Sequence, residues 1–202
     1  MTLKKAVDDS SNTKILHAAI KEFSIAGFHG ARIDAIAKRS GINKAMIYYH
    51  FRNKEGLYRA IIEHLFEKMR NLLREHAELD MPPDKKLYRM IESLSVFITD
   101  LGDDMRHVLA WEIASGGKTI ISVGGKKMRG IIPVVKKMYE DGIREGFFRK
   151  DINPMLTHFS MVGSIIFANI MYMTIKDSPI LRIIFTGKDI REQFTANLIS
   201  IL

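Results

Sequence analysis

The chain has 202 residues, 47% of them hydrophobic, no cysteine and a formal net charge of +8. That apolar content suffices for a proper core in one large or two small domains and excludes a disordered chain. Without cysteine there can be no disulfide framework, thiolate nucleophile or zinc-thiolate site, and a reducing cytoplasm fits.

The charge is unevenly placed. Residues 1–60 carry 11 Lys+Arg and 5 Asp+Glu, leaving 20 of the 31 bases and 18 of the 23 acids for the rest, so the first part holds +6 of the +8. A small basic part joined to a nearly neutral larger one is expected where only the small part meets a polyanion. The opening MTLKKAVDDSSNTK has Lys4 and Lys5 but no apolar run long enough for a signal peptide, and reads as a short flexible arm. Ser11, Asn12 or Thr13 can cap a first helix, whose Ile15, Leu16, Ala19, Ile20 and Phe23 make one apolar face ending at Gly27.

Two short helical patterns then meet at Gly41. Ile33, Ile36 and Ala37 fall at helical spacing before it, and Ile47 with Phe51 after it. Glycine suits the left-handed residue that ends a helix, and Asn43 can cap the next one. The inside of this corner is Ile36, Ala37, Ile42 and Ile47. Its outer face, Lys44, Ala45, Met46, Tyr48, Tyr49 and His50, is rich in donors and carries no acid. Such a helix fits the major groove of DNA, but glycine corners are common in all-helical proteins, so spacing alone leaves both readings open.

The run GFHGARIDAIAKRSGINKAMIYYHFRNKEGL, from Gly27 to Leu57, resembles the N-terminal domain of the tetracycline-repressor (TetR-like) family, with similarity extending over residues 11 to 65. The matching features are the Gly-aromatic entry, Asp-x-Ile-Ala, the following Gly-Ile, Tyr-x-His-Phe, and Asn-Lys-Glu-x-Leu. The resemblance implies that Lys44, Ala45, Met46 and Tyr49 face base edges while Tyr48, His50 and Lys54 hold backbone phosphates. Two departures stand out. Ala31 and Arg32 replace the usual hydroxyl residues at the start of the second helix, where Arg32 can substitute a charge for the lost phosphate contact. Ala45-Met46 replaces Gly-Thr or Pro-Thr, offering methyl and thioether surface to thymine methyls.

A fourth helix is expected from Asn53, with Leu57, Ile61, Leu65, Met69 and Leu72 in register until Met81-Pro82-Pro83. Leu87 to Leu101 forms a fifth, closed at Gly102, and Asp103 or Asp104 starts a shorter sixth containing Met105, Val108, Leu109 and Trp111. Residues 116–130 read as a glycine-punctuated loop flanking a short helix. Gly117-Lys118-Thr119 imitates the end of a phosphate-binding loop, but Glu112 stands where the motif needs glycine and helix precedes it where a strand is required. Residues 131–145 are helical. Asn153 and Pro154 open a helix over 155–175 that is apolar nearly all round, long enough for a membrane span yet better suited, through Thr157, Ser160, Ser164, Asn169 and Thr174, to burial against its own domain and a second subunit. A last helix over 188–202 can pair with it in a four-helix dimer seam.

The body places Met90, Phe97, Met105, Trp111, Met138, Phe159 and Met161 on inward faces. Such residues serve equally as plain core or as the lining of an adaptable apolar cavity. The resemblance implies an effector pocket, for which Phe97, Trp111 and Met138 are candidate lining and His107, Glu112 and His158 candidate orienting groups. No catalytic motif, metal-ligand spacing or cofactor fingerprint is present in the sequence. The expectation is an all-α homodimer without catalytic activity, cofactor or membrane attachment. A three-helix helix-turn-helix head (residues 1–53) binds a double-stranded DNA operator. A long fourth helix joins it to a ligand-binding and dimerisation body (54–202) that takes a small-molecule effector.

Overall fold

The computed structural model describes residues 3–175 and Pro179. Among these every regular element is an α-helix: α1 (Leu3–Gly30), α2 (Ile33–Ser40), α3 (Lys44–Phe51), α4 (Lys54–Ala77), α5 (Pro83–Thr99), α6 (Gly102–Ala114), α7 (Lys118–Lys127), α8 (Ile132–Arg144) and α9 (Pro154–Ile175). The final helix expected over 188–202 lies outside the described residues.

Local chemistry explains most boundaries. Gly27, at φ +63°, breaks α1 where the apolar face was expected to end. Pro83 opens α5, where its missing N–H costs nothing. Asn153 accepts from the Leu156 N–H at 3.0 Å and so caps α9. Two boundaries differ from expectation. α1 begins at Leu3, so the residues read as an irregular arm are helical from there on. α7 takes up most of the segment read as a loop flanking a short helix, and its start is secured by the preceding helix: the Glu112 carboxylate accepts from Thr119 N at 2.6 Å and Ile120 N at 3.2 Å. A cap supplied by another helix leaves no mark in the local sequence.

The contacts form two compact units, residues 1–66 with 102–126 and residues 67–101 with 127–202. This division differs from one at residue 53, since α6 and most of α7 fall with the N-terminal helices and α4 contributes to both units. In the first unit α1 packs against α2 and α6. Lys21 Nζ and Ser24 Oγ both donate to Asp104 Oδ1, at 2.9 and 3.0 Å. Phe23 meets Tyr58 edge-on, with ring centroids 4.9 Å apart, and Tyr58 donates to Glu112 at 2.9 Å. In the second unit α5 packs on α8 and α9. Its core contains Leu73, Met90, Ile91, Leu94, Val135, Met138, Tyr139, Phe148, Met161 and Ile165.

Two aromatics expected inside are not. Trp111 is 48% exposed: its ring lies against Gly27 and its indole N–H donates to Ser24 O at 3.3 Å. Phe159 is 60% exposed on α9, beside buried His158 and Met161. Pro154–Met171 is long and apolar enough to cross a membrane by length and composition, and only 17% of it is buried in the chain.

Two outcomes test this packing. A Cβ at Gly56 would fall within the contact distance of Phe51 O, a backbone atom that cannot step aside. Gly56→Ala should therefore cost about 1–3 kcal/mol, read as a lower urea midpoint. Burial lowers the His158 pKa from 6.5 to about 4. Between those values the unfolded chain binds more protons, so stability is complete above pH 6.5 and declines as pH falls toward 4, by on the order of 3 kcal/mol. His158→Phe should flatten that part of the stability profile.

Candidate nucleic-acid interface

The corner is built from short-range bonds. Gly41 sits at φ +70° and returns its N–H to Ala37 O at 3.0 Å, closing α2 in a conformation that side chains strain to adopt. Ser40 Oγ donates to Ala37 O and accepts from Ile42 N, each at 3.2 Å. The Asn43 side chain then accepts from Met46 N at 2.9 Å and starts α3. Arg52 ends it in the left-handed region, at φ 66°, its N–H reaching Tyr48 O at 2.8 Å. Asn53 caps α4 through Gly56 N at 2.7 Å.

α3 is held by one buried side chain, Ile47. The others form its outer surface: Ala45 is exposed, Met46 half-buried, Tyr48 45% and Tyr49 73% exposed. His50 is half-buried, its ring edge-on to Tyr49 with centroids 5.2 Å apart. Lys44 pairs with Asp34 of α2, so the acid-free face of α3 has a carboxylate next to it on the neighbouring helix. Arg32 is exposed at the entry to α2 and makes no side-chain cap. Its backbone N–H donates to Glu22 of α1 at 3.2 Å, so a carboxylate from another helix steadies the turn where hydroxyl residues are missing.

Lys54 has a role that sequence spacing does not reveal. Its ammonium donates to His29 O and Ala31 O, both at 3.1 Å, and lies 4.9 Å from the centre of the Phe28 ring. It therefore clamps the α1–α2 turn to the start of α4. Of its three donors, one remains for a phosphate.

The candidate effector residues divide between the units. His107, Trp111 and Glu112 belong to the first. His107 is exposed, with Nδ1 2.8 Å from Asp103 O. Glu112 is buried with Tyr58, Thr119 and Ile120 as its donors. Phe97, Met138 and His158 belong to the second unit, where Phe97 is partly buried against the core, Met138 lies within it and His158 is 6% exposed. His158 stands edge-on to Tyr139, centroids 6.0 Å apart. Tyr139 is fully buried on α8. Nothing in the helical period marks it as the polar neighbour of His158. No cluster of three or more His, Asp or Glu with metal-binding geometry occurs among the described residues.

A helical corner with capped ends, presenting the exposed side of its second helix from a basic N-terminal part, defines a helix-turn-helix DNA-binding regulator. Residues 15–61 match the model for bacterial regulatory proteins of the tetR family. The HTH-type transcriptional repressor NicS of Pseudomonas putida is 31% identical over 169 residues, covering 78% of this chain and 74% of that protein. The HTH-type regulator YhgD of Bacillus subtilis is 30% identical over 153 residues, covering 73% and 76%. The crystal structure of the regulator FadR from Bacillus subtilis in complex with stearoyl-CoA shares the fold, with a TM-score of 0.73 at 17% identity over 94% of this chain and 98% of that one. The chain belongs to the tetR family of transcriptional regulators.

The cap on α3 provides a direct check of the corner. Asn43→Ala removes the partner of Met46 N and should lower stability by about 1 kcal/mol, measured by urea unfolding. Affinity for DNA should fall with it, because the frayed turn carries Ala45 and Met46.

Proposed function

We propose that this regulator is a repressor that leaves a palindromic operator when a small, largely apolar effector enters its body. The carrying observation is the exposure of the outer side of α3, with Tyr49 at 73% on a helix capped at both ends. In this reading Lys44, Ala45, Met46 and Tyr49 meet base edges, while Arg32, Tyr48, His50 and the remaining donor of Lys54 meet phosphates. The functional division is a DNA-binding head of residues 1–53 and an effector-binding and dimerisation body of 54–202. The repressor name of the Pseudomonas putida relative supports the direction of control. The stearoyl-CoA held by the Bacillus subtilis neighbour supports an effector with a long apolar part.

Phe97, Met138 and His158 are the effector residues this reading retains, since Glu112 is occupied in joining helices and His107 faces solvent. The body acts as a homodimer through α9. Leu156, Phe159, Phe167 and Met171 lie along one exposed side of α9, and Ser160 and Gly163 between them let a second helix approach closely. The polar Thr157, Ser160, Ser164 and Asn169 suit a protein partner better than lipid, and an operator-binding protein works in the cytoplasm without membrane attachment or catalysis. Paired heads would enter half-sites roughly 34–36 Å apart. A hundredfold loss of occupancy requires the effector to favour the non-binding state by ~2.7 kcal/mol.

Footprinting on the host genome tests the proposal and should show a dimer-sized palindromic site. Tyr49→Ala should relax operator preference by about 1–3 kcal/mol with little change on random DNA. Arg32→Ala should weaken binding to all DNA and reduce the salt slope by about 1. Absence of any such footprint, or equal effects of both changes on every sequence, would overturn this assignment.

A further inference from the structure

Two buried polar groups stand side by side in the second unit, and neither has a partner suited to it. His158 is 6% exposed and its Nδ1 makes no hydrogen bond. Tyr139 is fully buried, and its hydroxyl reaches only the thioether of Met161, at 3.5 Å. Sulfur is a weak acceptor, and native cores keep few polar groups in this condition without a reason. The first unit shows the ordinary outcome: buried Glu112 has three donors, and Ser24 has both Lys21 O and Asp104.

The surroundings limit what could satisfy this pair. Among the described residues of the second unit no Asp, Glu, Lys or Arg is buried. From α5 and α8 the buried side chains are apolar apart from Ser95 and Tyr139. Met138, Met161 and Met90 are part of the same core, and methionine reshapes readily around an apolar guest. A charged group brought here would find no opposite charge, which makes its burial prohibitive, whereas a neutral oxygen or nitrogen would gain partners.

We infer that His158 and Tyr139 form the polar end of the effector site, and that the effector presents there an uncharged hydrogen-bonding group on an apolar body, not a carboxylate or an ammonium. This rests on the ligand-responsive reading above and specifies its chemistry. Burial keeps the His158 ring neutral at ordinary pH, so it supplies one donor and one acceptor and no charge. Burial likewise raises the Tyr139 pKa, so the hydroxyl keeps its proton and donates. A hydroxyl, ester, thioester or amide oxygen can accept from Tyr139, and a hydroxyl or amide can also exchange a hydrogen bond with His158.

The test uses the full chain and four compounds of one chain length: decan-1-ol, methyl decanoate, decanoate and decylamine. Binding is followed by the ring nitrogens of 15N-labelled histidine, and release from operator DNA is measured in parallel. The alcohol and the ester should bind about tenfold or more tightly than the two ions and should move the His158 resonances. His158→Phe, which keeps the bulk and removes both nitrogens, should compress that ranking to about twofold. The inference is overturned if decanoate or decylamine binds as well as the alcohol, if the neutral compounds leave the His158 signals in place, or if the ranking survives in His158→Phe. The wild-type spectra decide the matter even where the variant folds poorly. DNA release by decanoate as readily as by decanol would sink the neutral-ligand claim and leave the regulator reading intact. Neutral binding at His158 without any change in DNA binding would do the reverse.

Discussion

The first unit depends on the carboxylate of Glu112. It takes the hydroxyl of Tyr58 from α4 and the first free N–H groups of α7, so one buried side chain on α6 joins three helices. Burial, then the hydrogen bond and charge of Glu112, raise the Tyr58 pKa, which keeps the phenol protonated and donating. Through Tyr58 the same network reaches Phe23 and Phe28 of α1, with ring centroids 4.9 and 5.2 Å away. A three-helix head of some fifty residues buries little surface by itself. Adding α6 and α7 through a satisfied polar centre gives it the extra core it lacks.

Glu112 and His158 show how differently two buried polar groups can be used. Each is under 10% exposed. Glu112 has its acceptors matched by donors from fixed backbone and a neighbouring tyrosine, and a fully satisfied network makes a specific, rigid joint. His158 faces another aromatic polar group that itself finds only sulfur. The difference lies in what surrounds each residue and not in the residue type. Both looked alike in the sequence, as polar residues on largely apolar helices.

That contrast marks the limit of what the sequence made legible. The corner could be read because its signals are local: Gly41 bonds four residues back, Asn43 and Asn53 bond three residues ahead, and the apolar period places Ile36 and Ile47 inside. Asn153 and Pro154 were readable for the same reason. The roles of Lys54 and Trp111, and the bond from Tyr58 to Glu112, depend on partners 23 to 87 positions away, in which periodicity has no voice. A half-exposed Trp111 also follows from tertiary placement, since its ring lies over the break in α1 and not in a core. The glycines of α7 argue for a loop, and the Glu112 side chain, at the end of the preceding helix, supplies the cap that they do not.

The recognition helix itself is short and barely buried, yet it has to be stiff. Eight residues cannot form a stable helix alone, and Ile47 is a single anchor. Stiffness comes from its ends, where Asn43 fixes the first turn and the Arg52 N–H closes the last, and from Lys54, which ties the following helix to the turn before α2. Lys44 is already engaged with Asp34, and Lys54 with two carbonyls, so under the proposed assignment both charges would share or exchange partners on binding DNA. An exposed pair such as Lys44–Asp34 is worth little and exchanges easily, but Asp34 stays nearby and opposes phosphate. In the proposed assignment, the side chains that would meet DNA without first giving something up are Ala45, Met46 and Tyr49. Discrimination on this helix would then fall to methyl, thioether and phenol contacts, which favour thymine methyls and tolerate little displacement of the helix that carries them.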